Sequence, residues 1–255
     1  MTKPRPYILK ETNWFTVKET EYKVAILPWG ATEAHNYHLP YGTDNYETVY
    51  IAEQSAKIAW ENGTKVVVLP EIPFGVNTQQ LDIKLTINMN PSTQAAILQD
   101  VIESLEYQGI EKLIVLNGHG GSNFKQMIRE LQKDTDVFLT SVAWYEIGDW
   151  ESFFDVGGDH ANEMETSFMQ YAYPDLVLPL DVAGDGDAKS FKIDGFKEKW
   201  AWAPREWTKV SKDTGIGNPK AATPEKGKKY IEFVTDKIAH FFVELADADV
   251  NNMYE

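Results

Sequence analysis

The chain has 255 residues, 43% of them hydrophobic and 13% aromatic, enough for one large domain or two small ones with a well-filled core. A formal net charge of −15 argues against nucleic acid and anionic membrane surfaces as partners. Cysteine is absent, which excludes disulfides, a thiolate nucleophile and Cys-ligated zinc. Residues 1–10 hold no apolar core of signal-peptide length, and no run of 18 apolar residues occurs, so a cytoplasmic protein is expected.

In chain order, Thr12 is placed to cap a short helix through residue 20, with Trp14, Phe15 and Val17 on its inner face. Residues 22–28 read as a first strand, apolar enough to be central in a sheet. A helix is expected over 45–62, closed by Asn62-Gly63, with Val49, Ala52, Ala56 and Ala59 on one face. Residues 65–69 form a second strand, and 71–90 a loop with one short strand near 84–87. A helix over 91–107 opens on Pro91 and stops before Gly109. Strands at 112–116 and 137–142 flank a helix at 124–133. The segment 178–222 is an irregular excursion rich in Asp, Gly and Trp, either a lid, a subunit contact or a loop pinned by its aromatics. A final amphipathic helix runs over 224–246. Strand–helix alternation with apolar strands predicts an α/β protein, one domain over 1–255, with a mainly parallel sheet covered on both faces.

Three polar motifs interrupt this alternation. The first, ILPWGATEAHNYHLPYGTDN at 26–45, carries Glu33, His35 and Asp44. Glu-x-His in extended backbone turns both side chains to one side. Carboxylate with imidazole suits Zn, Mn or Fe rather than Ca, and the C-terminal end of an apolar strand is where open α/β sheets place their sites. The second, LNGHGGSN at 116–123, sets His119 among Gly118, Gly120 and Gly121. Glycines so dense imply unusual backbone or close approach. His119 is then a metal ligand lifted on a tight turn, or the glycines cradle a phosphate at the next helix; neither P-loop nor dinucleotide spacing is met. The third, GDHANEMETS at 158–167, places Asp159 and His160 before a helix and Glu163 and Glu165 in its first turn, with Asn162 as cap. Four of the five histidines, His35, His38, His119 and His160, fall in these motifs; His240 lies in the final helix, where a structural role is expected.

In this order and at these separations, PWGATEAHNYHLPYGTD, LNGHGGSN and GDHANEMETS resemble the creatininase (creatinine amidohydrolase) family, over about residues 22–178. The resemblance implies a three-layer α/β/α fold, two divalent metal ions per chain, and hydrolysis of a non-peptide C–N bond in an amide, formamide or cyclic amide. Creatininase itself is a homohexamer, so a homo-oligomer acting on a small-molecule substrate is implied. Carried over by position, Glu33 and His119 hold one metal, His35 belongs to the other, and Asp44 bridges both. His160 matches the catalytic histidine, Asp159 stands where creatininase has a glutamate, and Trp144 where it has a tryptophan near its substrate. Gly120 and Gly121 replace a Tyr-Glu pair whose glutamate ligates the second metal. Glu165, with Glu163 in reserve, is expected to complete that site, leaving Gly120 and Gly121 beside the substrate. Val156 stands where a second substrate-covering tryptophan is found. Both departures argue against creatinine itself and towards family members of other function, such as formamide hydrolases of flavin-type cofactor pathways and the peptidase of mycofactocin maturation.

Two ions bridged by Asp44 would share a water and lower its pKa towards neutrality. His160 would protonate the leaving nitrogen, Asp159 would orient His160 or hold it charged, and His38 would fix the loop through a ring N–H. The rival is a non-catalytic metal- or ligand-binding protein on the same scaffold, favoured by the missing glutamate. A metallophosphoesterase would want more basic side chains near the motifs than Lys125.

Overall fold

The computed structural model describes residues 4–255, so the first three residues of the N-terminal stretch lie outside the described residues. Four strands, β1 (Val24–Trp29), β2 (Val66–Val68), β3 (Lys112–Asn117) and β4 (Phe138–Ala143), form one sheet in the order β2-β1-β3-β4. All three pairings are parallel. Buried on both faces, β1, β2 and β3 are mostly continuous apolar runs rather than alternating ones, while the edge strand β4 is only partly buried.

Eight helices are present among the described residues: α1 (Trp14–Val17), α2 (Thr43–Glu61), α3 (Pro91–Tyr107), α4 (Phe124–Leu131), α5 (Glu163–Ala172), α6 (Asp194–Lys197), α7 (Trp207–Val210) and α8 (Pro224–Asp247). One face of the sheet presents Val24, Ile26, Val66, Ile114 and Leu116 to Ile51 and Ala56 of α2, Phe168 of α5 and Val234 and Phe242 of α8. The opposite face presents Ala25, Leu27, Val67, Leu113 and Val115 to Leu98 and Ile102 of α3 and Phe124 and Met127 of α4. Successive strand residues thus feed opposite layers, as the period of two requires. The result is the expected three-layer α/β/α arrangement.

From β1 the chain moves out to β2 on one side, and β3 then pairs on the other side of β1. That reversal of winding opens a crevice beyond the carboxyl ends of β1 and β3, where doubly wound sheets take their ligands. The two strands end in register, Trp29 beside Asn117.

Two expectations need correction. The short strand near 84–87 is not formed; only isolated bridges from Ile87 to Thr32 and from Asn88 to Gly75 remain, because the loop meets no strand edge for longer than one residue. The N-terminal helix is a single turn capped by Asn13, whose side chain accepts from the Thr16 N–H. Trp14 and Phe15 are 74% and 75% exposed, so they do not form its inner face. One turn has too little surface to carry an apolar stripe onto the core.

Candidate metal centre

The loop leaving β1 carries Glu33 and His35, and Asp44 stands in the first turn of α2, where a carboxylate complements the helix dipole. His119 follows β3 by two residues, and His160 and Glu165 flank the start of α5, whose Asn162 side chain accepts from the Glu165 N–H. These six residues, from four places in the sequence, converge beyond the strand ends. Their donor atoms fall into three sets in which all atoms lie within 4.8 Å of one another: Glu33, Asp44 and His119; His35, Asp44 and Glu165; Glu33, His35 and His160.

The histidines are oriented alike. His35 Nδ1 lies 3.1 Å from the Glu33 carbonyl, His119 Nε2 3.1 Å from the Val76 carbonyl, and His160 Nε2 2.8 Å from the Ala34 carbonyl. Since a carbonyl only accepts, each of those ring nitrogens carries the proton and donates. The other nitrogen of each ring turns towards the carboxylates. His35 Nε2 is 2.9 Å from Asp44 Oδ1, His119 Nδ1 is 3.0 Å from Glu33 Oε1 and 2.9 Å from Asp44 Oδ2, and His160 Nδ1 is 3.8 Å from Glu33 Oε1. A backbone carbonyl that fixes the tautomer and leaves the second nitrogen free is the usual support of a metal-bound imidazole.

The carboxylates tell the same story. Asp44 Oδ2 and Glu165 Oε2 are sealed from solvent and accept no hydrogen bond. No Lys or Arg among the described residues pairs with Glu33, Asp44 or Glu165. Several buried carboxylates without a resident cation are costly, so this donor set suits divalent metal, and its mix of imidazole and carboxylate suits Zn, Mn or Fe. Burial opposes charge on His35 and His119, but Asp44 outweighs it at His35, whose pKa rises to about 10, and Glu33 and Asp44 lift His119 well above the ordinary value. Burial likewise opposes the Asp44 anion, and His35 and His119 nonetheless hold its pKa low. Glu47, one turn along α2 from Asp44, is fully buried with both oxygens unpartnered. Burial, with Glu165 and Asp44 nearby, pushes its carboxyl well up.

Over these groups lies a cavity of about 390 Å³. Glu33, Asp44, His119, His160 and Glu165 reach it, while His35, fully buried, does not line it. Gly120 and Gly121 lie on its wall. A Cβ at Gly121 would come within 2.4 Å of the Val76 carbonyl and 2.5 Å of His119 Nε2, so this backbone admits no side chain there, and no ligand from that position.

Several expected residues sit elsewhere. Trp144 is buried and does not line the cavity; its Nε1 donates to Thr48 Oγ1, and its ring packs on Phe168 and Tyr230. Its neighbour Tyr145 reaches the cavity instead. Asp159 does not orient His160: its carboxylate pairs with Arg205 at 2.7 Å, and the Ala34 carbonyl does the orienting. Glu163 is occupied, accepting from the N–H groups of Asp155 and Val156 and pairing with Lys226, so it is no reserve ligand. His38 Nε2 meets Thr166 Oγ1 at 2.9 Å, tying the first motif to α5.

Other cavity residues were not anticipated. The Gln80 amide donates to Glu33 Oε2, and nothing in the 71–90 loop marks it. Val156 is at the wall as expected, but Trp150, Trp202 and Trp207 supply the aromatic cover, two of them from the 178–222 excursion. The excursion is tied directly to the motif loops. Asn36 accepts from the Gly184 N–H, Thr214 Oγ1 accepts from the Asn36 N–H, and Ile216 forms a bridge with His160. Asn36 and Ala161, next to His35 and His160, have φ of +52° and +48°. For Ala161 this left-handed conformation costs roughly 1–2 kcal/mol, strain held at the site by its surroundings.

The family model for creatininase, described as creatinine amidohydrolase, matches residues 10–242. The chain belongs to the creatininase family. The Pseudomonas putida creatinine amidohydrolase is 27% identical over 254 residues, covering 88% of this chain and 92% of the relative. The mycofactocin precursor peptide peptidase of Mycobacterium ulcerans (strain Agy99) is 23% identical over 222 residues, covering 84% and 82%. Among solved structures, the "Putative creatinine amidohydrolase" of Bacteroides fragilis NCTC 9343 superposes with a TM-score of 0.92 at 43% identity over all of both chains. A manganese creatininase superposes at 0.78 with 23% identity, over 95% of this chain and 99% of that one, which bears on the fold. The creatininase-family assignment thus rests on nearly the whole chain, the excursion included.

Proposed function

We propose that this protein is a metal-dependent hydrolase of a non-peptide C–N bond in an amide, formamide or cyclic amide, with two divalent ions held across Asp44. The observation that carries the reading is three imidazoles, each fixed by a backbone carbonyl, turned with the buried carboxylates of Glu33 and Asp44 and the partly buried one of Glu165 onto a common centre beneath a cavity. Glu33 and His119 would hold one ion and His35 and Glu165 the other, with Asp44 shared. Such ions supply a nucleophile at neutral pH and polarise the scissile carbonyl.

The remaining work falls to the chain's own groups. The Gln80 amide, donating to Glu33, fixes that carboxylate's rotamer. His35 stays behind the cavity wall, as a ligand should. His160 lies at the cavity with Nε2–H committed to Ala34, so Nδ1 is the atom that holds or delivers a proton. Protonated there, it is the general acid for the leaving nitrogen. Trp207, the buried member of the aromatic cover, would shield one side of the bond to be broken. Of the family relatives named above, the creatinine amidohydrolase supports the non-peptide amide class, and the peptidase supports only C–N hydrolysis in general.

The test pairs metal content with turnover. Protein purified without chelator should hold two divalent ions per chain by elemental analysis. Asp44→Asn should lose both while circular dichroism stays native, and Glu165→Gln should lose one. His160→Asn should keep both ions while hydrolysis across a panel of formamides, cyclic amides and small ureides falls by roughly two to four decades. One ion per wild-type chain would overturn the shared site. Loss of metal in His160→Asn would make that residue a ligand.

A further inference from the structure

Of the side chains lining the cavity, Arg205 is the one Lys or Arg, facing four carboxylates, Glu33, Asp44, Asp159 and Glu165. Its guanidinium is held twice over. Nη2 is 2.7 Å from Asp159 Oδ2, and the group lies 4.7 Å from the centre of the Trp207 ring. Trp207 in turn sets its ring edge-on to His160, 5.3 Å between centres at 86°. A single indole therefore separates the guanidinium from the imidazole above the metal centre. Arginine presents five N–H donors in a rigid fork. Asp159 takes part of that fork, and no other protein group among the described residues takes the rest. Both partners stay partly open, with side chains 38% and 59% exposed, so the pair adds little to stability. A cation fixed at a cavity wall, half-engaged and stacked on the ring that covers the catalytic histidine, is built to receive a planar anion.

We propose that Arg205 is a specificity-determining residue that binds a carboxylate on the substrate. The substrate is then an amide or ureide carrying a carboxylate a few bonds from the bond to be broken, its planar part lying along Trp207. Asp159 holds the fork in place while the cavity is empty and shares it when substrate enters. Without Arg205, the wall would keep its four carboxylates and no Lys or Arg to offset them against an anionic substrate. The inference rests on the amide-hydrolase reading, but its test does not need turnover.

Zinc-loaded protein is titrated with N-carbamoylglycine and with its neutral amide, following tryptophan fluorescence. Wild type should bind the carboxylate about tenfold more tightly than the amide, the worth of one charge-assisted hydrogen bond. Arg205→Gln should bring the two affinities together with zinc content and melting temperature unchanged. Arg205→Lys should restore only part of the preference, since an ammonium offers no fork. Asp159→Asn should tighten carboxylate binding. A preference that survives in Arg205→Gln places the anion on the metal floor and overturns the assignment. A wild type with no preference, including one that binds neither probe, overturns it as well. Failure of the hydrolase reading would show differently, as an intact carboxylate preference without turnover.

Discussion

At His38, burial and then the neighbouring His35 hold the imidazole down to about 4, against 6.5 for the free side chain. The unfolded chain therefore takes up a proton as pH falls through 6.5, while the folded one resists until about 4. The contribution of His38 is full above the unfolded value and is lost as the pH falls through that window. Urea midpoints between pH 7.5 and 4.5 should drop for the wild type, and His38→Gln should shed part of that slope. A slope unchanged in the variant would mean that other groups set it. Most candidate donors stood out in the sequence because four of its five histidines fall in three short polar motifs, while Glu165 was pointed to only by the family resemblance. Gln80 and Arg205 did not stand out, since each reaches the cavity from an irregular segment without periodicity. Trp144 missed by one residue. The strand ends at Ala143, and in the turn that follows, alternation no longer says which side chain points inward.

The contact between α5 and α8 is set by one position. Gly227 lies inside α8, and a Cβ there would fall 2.0 Å from the Ser167 carbonyl oxygen of α5. In an exposed helix, Gly→Ala adds about 0.5–1 kcal/mol of stability. At Gly227 the sign should reverse, because the helices must separate, at a cost of about 1–3 kcal/mol. Chemical denaturation of Gly227→Ala decides it, and any gain in stability would show that the helices part freely. Because α5 carries Glu165 and begins two residues after Ala161, a shift there also moves the centre. The long elements were readable from apolar runs, from Pro91 at a helix start and from Asn62-Gly63 at a helix end. The one-turn α1 was not, because so short a helix is fixed by its Asn13 cap and not by a face.

For the molecule as a whole, the carboxylates of the centre come from the loop after β1 and from the first turns of α2 and α5, which meet beyond the strand ends. Removing metal from the proposed centre would leave them with only the imidazoles of His35 and His119 to offset their charge. Chelation should therefore lower the melting temperature at neutral pH by several degrees, the effect of losing a ligand that binds only the folded state. Asp44→Asn, already without metal, should show no chelator response; a full response there would place the stabilising ion elsewhere. The layered architecture followed from strand–helix alternation. The roof did not, since the contacts that place it run between residues more than a hundred positions apart, such as Asn36 with Gly184.

The excursion closes on itself. The Gly217 N–H reaches the Gly186 carbonyl, and the Lys189 N–H reaches the Val210 carbonyl at 2.9 Å. Its two ends thus meet like the neck of a purse, and what hangs beyond the neck, Arg205 and Trp207 included, carries no metal ligand. A closed neck lets such a segment lengthen, shorten or change composition at small entropic cost. On the proposed reading, chemistry and selectivity are therefore separately heritable: descendants could exchange the part that chooses the molecule and keep the part that breaks the bond.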